Sequence, residues 1–416
     1  LMTEDQPADA IRKAYISGDY EQVRNLARDL ELPRGTQPEV WLLAGQACRH
    51  LTEYEEAISY FEMSVVDAGT SPLAVDATLQ AAAILEDLGR YSDAVASVTG
   101  LVGRHPDNAE LHRSAARLLD LVGRRYEANI HHLALVKAGR HTVDDLILLA
   151  NRHEPFAAPE VEEVLHDPRS SLFRVTRSLV LWQSGKLVEA AELLRTEIAR
   201  ASESLSAHAL LGRVLIDQGR MESLAQWHAE LPSSSDGHPD VWYVRGVWAE
   251  HLERPAAAAQ CFEKALQLDD CFPEAMFRLA ALVDDSLVPD IGSQITVRIS
   301  SIERYREICK AIFFKGPARQ LVSEAVELAD SLGRLHEAAA WCRMLNTGLH
   351  ATAAVQDRLR ELETQIAMRG DVNSPGRWSL LDELQLRDSK IPSWPLPRSS
   401  DDAAKSPALA AHFGDV

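Results

Sequence analysis

The chain has 416 residues, 46% hydrophobic and 25% charged, with aromatics at 6% and a formal net charge of −19. That length exceeds what one compact core supports and points to several domains or a repeat array. An acidic field repels phosphate backbones and anionic lipid, which excludes general nucleic-acid and membrane-surface binding, and no apolar run approaches the ~20 residues of a membrane span.

No signal peptide is visible, and Leu1 ahead of Met2 leaves open whether one was removed. The expectation is a soluble protein, cytoplasmic or, with a removed leader, exported. Residues 8–37 carry a first helical pair. In the next unit Trp41, Ala44, Gly45 and Cys48 fall at i, i+3, i+4 and i+7, one stripe of a helix, and Ala57 and Phe61 share a face of a second. Small residues at Gly45 and Ala57 let the two helices approach, while Trp41 and Phe61 fill the space between neighbouring pairs. Gly89 and Gly123 then stand 34 apart in the turns Leu88-Gly89-Arg90 and Val122-Gly123-Arg124, and Gly185 and Gly219 repeat that interval. Pro155, Pro159 and Pro168 interrupt the pattern between 143 and 170. The periodicity returns, and residues 241–263 reproduce residues 40–62 without a gap: Trp242, Gly246, His251, Leu252, Ala258 and Phe262 match Trp41, Gly45, His50, Leu51, Ala57 and Phe61. After Met276 the pattern breaks again at Asp284-Asp285 and Pro289, so 285–294 reads as an inserted loop before a long helix from Ile295 to Phe314. Residues 353–368 read as a closing helix with one polar side. From Gly370 onward Pro375, Pro392, Pro395, Pro397 and Pro407 replace periodicity with linker character.

This register resembles the tetratricopeptide repeat family, with its Trp-x2-Leu-Gly-x2-Tyr, Ala-x3-Phe and closing Pro, the last met here by Pro106. The resemblance spans roughly 8–352 and implies repeats at 8–37, 38–72, 75–108, 109–142, 171–204, 205–238, 239–272 and 319–352. The expected fold class is therefore all-α: a superhelical solenoid of antiparallel helix pairs with a Pro-rich irregular tail. The expected organisation is an N-terminal array at 1–142, an irregular helical connection at 143–170 and a second array at 171–284. A degenerate repeat, a last repeat and a capping helix follow at 285–370, then a linker at 371–416. The ending His412-Phe413-Gly414-Asp415-Val416 looks like the opening of an FG-GAP propeller of the UnbV type, which makes the chain the expected N-terminal region of a longer protein.

No P-loop, dinucleotide fingerprint, nucleophile elbow or HExxH motif is present, so neither an enzyme nor a cofactor is expected. Nor is a metal site. His131-His132 are adjacent, a quarter-turn apart on a helix, with no carboxylate or cysteine at i+4 to complete a site; His132 stands where Phe61 does in its own repeat and reads as a packing histidine. The doublets Asp144-Asp145, Asp269-Asp270 and Asp284-Asp285 lack the alternating calcium loop and read as caps and solvated turns. Of the five cysteines, Cys261 and Cys271 are ten apart; two free thiols are favoured over a disulfide.

Binding is the expected activity. The resemblance implies that the first helix of each pair lines a groove for a peptide or protein partner, at about the second, fifth, ninth and twelfth places. These give Glu39, Leu42, Gln46 and Arg49, then Arg113 and Arg117, then Arg213 and Tyr243. Arg113 and Arg117 stack at i, i+4 and suit a carboxylate fork, with a solvated helix face as an equal alternative. The family's chaperone-tail clamp needs Lys and Asn where Leu42 and Gln46 stand, so that ligand is not expected. The leading reading is a non-catalytic interaction scaffold; the alternative is a regulatory or targeting arm of a multidomain enzyme whose catalytic domain lies outside this sequence.

Overall fold

The computed structural model of the chain describes residues 6–30, 37–122, 124–150, 171–282, 291–346 and 352–369. Gly123, Pro155, Pro159, Pro168, Asp284, Asp285, Pro289 and everything from 370 onward lie outside the described residues. Among those described there are 20 α-helices and no strand. The chain falls into two compact units, Leu1–Val122 and Gly123–Val416.

Unit 1 holds α1 (Gln6–Ile16), α2 (Tyr20–Arg28), α3 (Pro38–His50), α4 (Tyr54–Ala68), α5 (Pro72–Asp87), α6 (Tyr91–Val102) and α7 (Ala109–Leu121). Local chemistry sets the starts. Pro38 and Pro72 occupy first-turn positions where a missing N–H is harmless, and Asn108 accepts from the N–H groups of Glu110 and Leu111. Trp41 and Phe61 are buried, and a Cβ on Gly45 would fall 2.7 Å from the Phe61 ring. The expected close approach is therefore present.

Helix pairs are joined by a three-residue turn whose middle residue is left-handed. Gly89, Gly185 and Gly219 have φ of 74°, 78° and 69°, as only glycine adopts freely. The two repeats whose aromatic positions are clearest put other residues there: Thr52 at φ 62° and Glu253 at φ 58°. The turn closes alike in both, Glu53 N–H donating to Cys48 C=O at 2.9 Å and Arg254 N–H to Ala249 C=O at 3.0 Å. A side chain in this region costs about 1–2 kcal/mol, partly offset by the roughly 0.5–1 kcal/mol of extra freedom a glycine has when unfolded. Thr52→Gly and Glu253→Gly are expected to raise urea midpoints, Thr52→Gly more because its side chain is β-branched; lowered midpoints in both would show the turns to be unstrained.

Unit 2 holds α8 (Arg125–Lys137), α9 (Val143–Ala150), α10 (Ser171–Gln183), α11 (Leu187–Arg200), α12 (Leu205–Asp217), α13 (Leu224–Ala229), α14 (Pro239–His251) and α15 (Pro255–Leu268). It continues with α16 (Pro273–Leu282), α17 (Ile291–Lys315), α18 (Arg319–Ser331), α19 (Leu335–Leu345) and α20 (Ala353–Arg369). Helix pairs fall within 171–204, 205–238, 239–272 and 319–352, while α7 and α8, the helices of 109–142, belong to different units. Two boundaries differ from the sequence reading. The second helix of 205–238 is short, framed by 3-10 turns at Met221–Ser223 and Ser233–Gly237, because Pro232 and the serines after it end it early. The long helix begins at Ile291, so 291–294 belongs to it and not to a loop; no proline interrupts 291–315. Helix α20 buries Leu362, half-buries Val355, Leu359 and Ile366, and leaves its other face charged.

One arrangement was not expected. The start of unit 2 packs against its end: α9 lies on α17, and α8 touches α19. Tyr126 Oη donates to Leu268 C=O at 2.5 Å, and its ring lies 5.5 Å from that of His238. Inside, Trp341 Nε1 donates to Tyr305 Oη and Tyr305 Oη to Glu337 Oε2, each at 3.0 Å. The Arg334 guanidinium stands 3.6 Å from Glu337 and 5.6 Å over the Tyr305 ring.

Candidate partner-binding faces

In both units first helices of successive pairs pack side by side, α1 to α3, α3 to α5 and α5 to α7 in unit 1, α10 to α12 and α12 to α14 in unit 2. The candidate residues lie on these faces, but the faces differ. In unit 1 they are mostly polar and exposed. Arg12 joins α1 to α3 through Glu39 at 2.9 Å. Leu42 is buried, Gln46 half-buried and Arg49 exposed, and among the described residues Arg49 enters no ion pair. On α7, Arg113 and Arg117 are both exposed. Arg117 does fork a carboxylate, but it is the chain's own: both Glu86 oxygens on α5 accept, at 2.5 and 2.6 Å.

In unit 2 the same places are covered. Val175, Leu179, Ser206, Ala209, Asp240, Tyr243 and Val247 are all buried. The side chain of Arg213 is only 11% exposed, bonded to Asp240 at 3.0 Å and Glu274 at 2.6 Å. Rings of Trp182, Tyr243 and Phe272 surround it at 5.0, 5.4 and 5.9 Å. Tyr243 also packs on Phe262 and Phe272, and burial pushes its phenol up. Arg213 and Tyr243 thus bind α10, α12, α14 and α16 to one another. A sequence signal existed: α12 and α14 offer Ser206, Ala209, Tyr243 and Val247 where α3 and α7 offer Glu39, Gln46, Arg113 and Arg117. Small and apolar side chains at those places mark an enclosed helix face.

His132 is buried as expected, but its Nδ1 pairs with Asp145 Oδ1 at 2.7 Å, across the turn to α9. A search at i+4 misses a partner at i+13. Asp145 also accepts from the Thr142 N–H and hydroxyl, which caps α9, and these contacts with His132 outweigh burial to hold its carboxyl below the usual range. Asp145 meets the expectation of a cap, but it and Asp269 are buried, so neither is a solvated turn acid. All five thiols are free and buried. Among the described residues two groups bring three donor atoms within 4.8 Å: Cys48, Glu53 and Glu56, and Asp269, Asp270 and Cys271. In the first, Arg24 holds Glu53 and Arg28 holds Glu56, each at 2.5 Å, and burial pushes the thiol up to about 12. In the second, Asp269 accepts the Cys271 N–H at 3.1 Å and Arg298 stands 3.7 Å from Asp270. These donors serve the fold. Among the described residues no helix is long and apolar enough to cross a membrane.

Tetratricopeptide repeat profiles match residues 38–64, 175–237 and 239–270, so such repeats are present in both units. Proteins built from these repeats serve as interaction scaffolds, and the repeat itself is generally non-catalytic. No curated protein matches the chain. Among solved structures, a tetratricopeptide repeat protein from Parabacteroides merdae is 13% identical, over 67% of this chain and 97% of that one, with a TM-score of 0.26. The P58(IPK) TPR domain is 11% identical over 81% and 100%, with a TM-score of 0.29. The APC/C hetero-tetramer Cut9-Hcn1 gives 12% over 87% and 85%, with a TM-score of 0.32. At such scores these likenesses carry no weight for the arrangement of the pairs.

Proposed function

We propose that the chain is a non-catalytic interaction scaffold whose partner, a peptide or extended protein segment, lies along the first-helix face of unit 1, on Gln46, Arg49, Arg113 and Arg117. The supporting observation is the contrast between the units: Glu39, Arg49, Arg113 and Arg117 are exposed in unit 1, whereas Val175, Ala209, Tyr243 and Val247 at equivalent places of unit 2 are buried. Arg213 and Tyr243 are assigned to spacing the helices of unit 2, and Arg117 to an arginine that a partner shares with Glu86. The partner's matching groups are carboxylates toward Arg49 and Arg113.

The test is charge reversal. Arg49→Glu with Arg113→Glu should leave thermal unfolding nearly unchanged, since exposed substitutions move stability by roughly 0.5 kcal/mol or less. Capture of partners by the tagged chain, quantified by mass spectrometry, should fall about tenfold for each 1.4 kcal/mol of lost affinity. Arg104→Glu, at an exposed loop position of the same unit, is the control. Equal loss in the control, or retention in the double variant, removes the assignment.

A further inference from the structure

The burial pattern sets α3, α5 and α7 in one register. Ala44, Gly45, Ala47 and Cys48 are buried on α3, Ala81, Ala82, Ile84 and Leu85 on α5, and Ala115, Ala116, Leu118 and Leu119 on α7. The places between them then correspond row by row. The second place is acidic and exposed on all three helices, at Glu39, Asp76 and Glu110. The fifth holds Leu42, Leu79 and Arg113, the ninth Gln46, Ala83 and Arg117, and the twelfth Arg49, Glu86 and Asp120. The middle helix is the apolar one: Leu79 and Ala83 are half-buried, with arginines on the helices to either side.

Side chains meet across the helices with an offset. Arg117, at a ninth place, reaches Glu86 at the twelfth place of the helix before it, at 2.5 and 2.6 Å. One turn back on both helices Arg113 comes level with Ala83, and the same offset leads from Ala83 to Arg49 on α3. The line Arg49, Ala83, Arg113 thus crosses the face with a cation at each end and apolar surface, widened by Leu79, in the middle. The acids of the second place lie along one side of it, and Glu86, held by Arg117, lies on the other with Asp120.

We propose that this line is the binding track, and that its occupant is a segment in polyproline II conformation with the pattern carboxylate-x-x-apolar-x-x-carboxylate. Packed neighbouring helices stand ~8–10 Å apart. A polyproline II chain presents the same side every third residue, about 9 Å along. One side chain therefore falls on each helix in turn: a carboxylate at Arg49, an apolar group at Ala83 and Leu79, a carboxylate at Arg113. A β-strand presents the same side every second residue, about 6.6 Å along, and is out of step by the third helix. This inference rests on the assignment of the partner to the first-helix face of unit 1 and adds the partner's spacing.

Fluorescence anisotropy with the full chain and labelled synthetic peptides tests it. Each of three peptides carries two glutamates around a central leucine on a proline background, with the glutamates six, four or eight residues apart. The six-residue spacing should bind roughly two- to fivefold more tightly than the other two, the worth of one exposed ion pair. Arg49→Gln and Arg113→Gln should each remove that preference with thermal unfolding unchanged. Serine in place of the central leucine should weaken the six-residue peptide on the unaltered chain. Equal binding of the three spacings overturns the proposal, as does a preference that survives both substitutions or a six-residue peptide that does not bind. Peptide binding and partner capture are separate readings. Uniform peptide binding, with capture still lost in the double variant, removes the spacing alone; capture retained in the double variant removes the assignment, and this inference with it.

Discussion

Gly246→Leu is expected to lower the unfolding free energy by about 3 kcal/mol, the upper end of what overpacking costs. A Cβ at that position already falls 2.5 Å from Phe262 Cε1 and 2.8 Å from Cδ1, before the rest of the leucine is added. Phe262 has nowhere to go: it is fully buried, with Tyr243 packed on it at 5.8 Å. The same overlap recurs at Gly45, 2.7 Å from Phe61, and at Gly212, 2.8 Å from Trp227. Gly100, also in a helix, meets nothing within 4 Å. Gly100→Ala should instead stabilise by roughly 0.5–1 kcal/mol, the helix preference of alanine over glycine. Opposite signs in urea unfolding at Gly246 and Gly100 are the result to look for. A neutral Gly246→Leu would mean that α14 and α15 are not in this contact.

Glu337→Ala should be at least as damaging, about 3–5 kcal/mol, the penalty for leaving a buried charge without its partner. Glu337 is 1% exposed and the side chain of Arg334 4%. Removing the carboxylate strips Tyr305 of its acceptor and Arg334 of its ion-pair partner, with Trp341 still donating to the same phenol. The informative comparison is Arg334→Met with Glu337→Leu. Replacing both charges by apolar groups of similar size should recover most of the loss, short of about 1–3 kcal/mol for the Leu149 carbonyl that Arg334 no longer serves. A double variant worse than Glu337→Ala would refute this account of the network.

The local fold was legible because its determinants are local. Trp41 and Phe61, then Trp242 and Phe262, recur at fixed offsets, and each offset is a geometric demand of two helices meeting across a small residue. Gly89, Gly185 and Gly219, placed in turns by the 34-residue interval, do stand in turns, at positive φ. The candidate site was legible only in part. Helical spacing put Arg113 and Arg117 on one face, but no spacing reveals that Glu86, 31 residues away, already occupies Arg117. Arg213 and Tyr243 stand at the right places of the right helices, and what covers them is set by long-range packing. The contacts of α9 with Arg306 and Arg334 join residues that share no repeat, so a reading by period passes over them. Asp145 was hidden for the same reason, its histidine lying on the preceding helix.

Closure of unit 2 also sets an order for its synthesis. In unit 1 each helix pair finds its neighbour as soon as the next pair is made. Helix α9 has to wait for Arg334, 185 residues later, which at ~5–20 residues per second takes roughly 10–40 s. Until α17 is made, Leu146, Ile147 and Leu149 lack its cover, so the nascent chain carries apolar surface near its middle as well as at its growing end. A stop between residues 150 and 291 leaves unit 1 whole and α9 without its seat on α17.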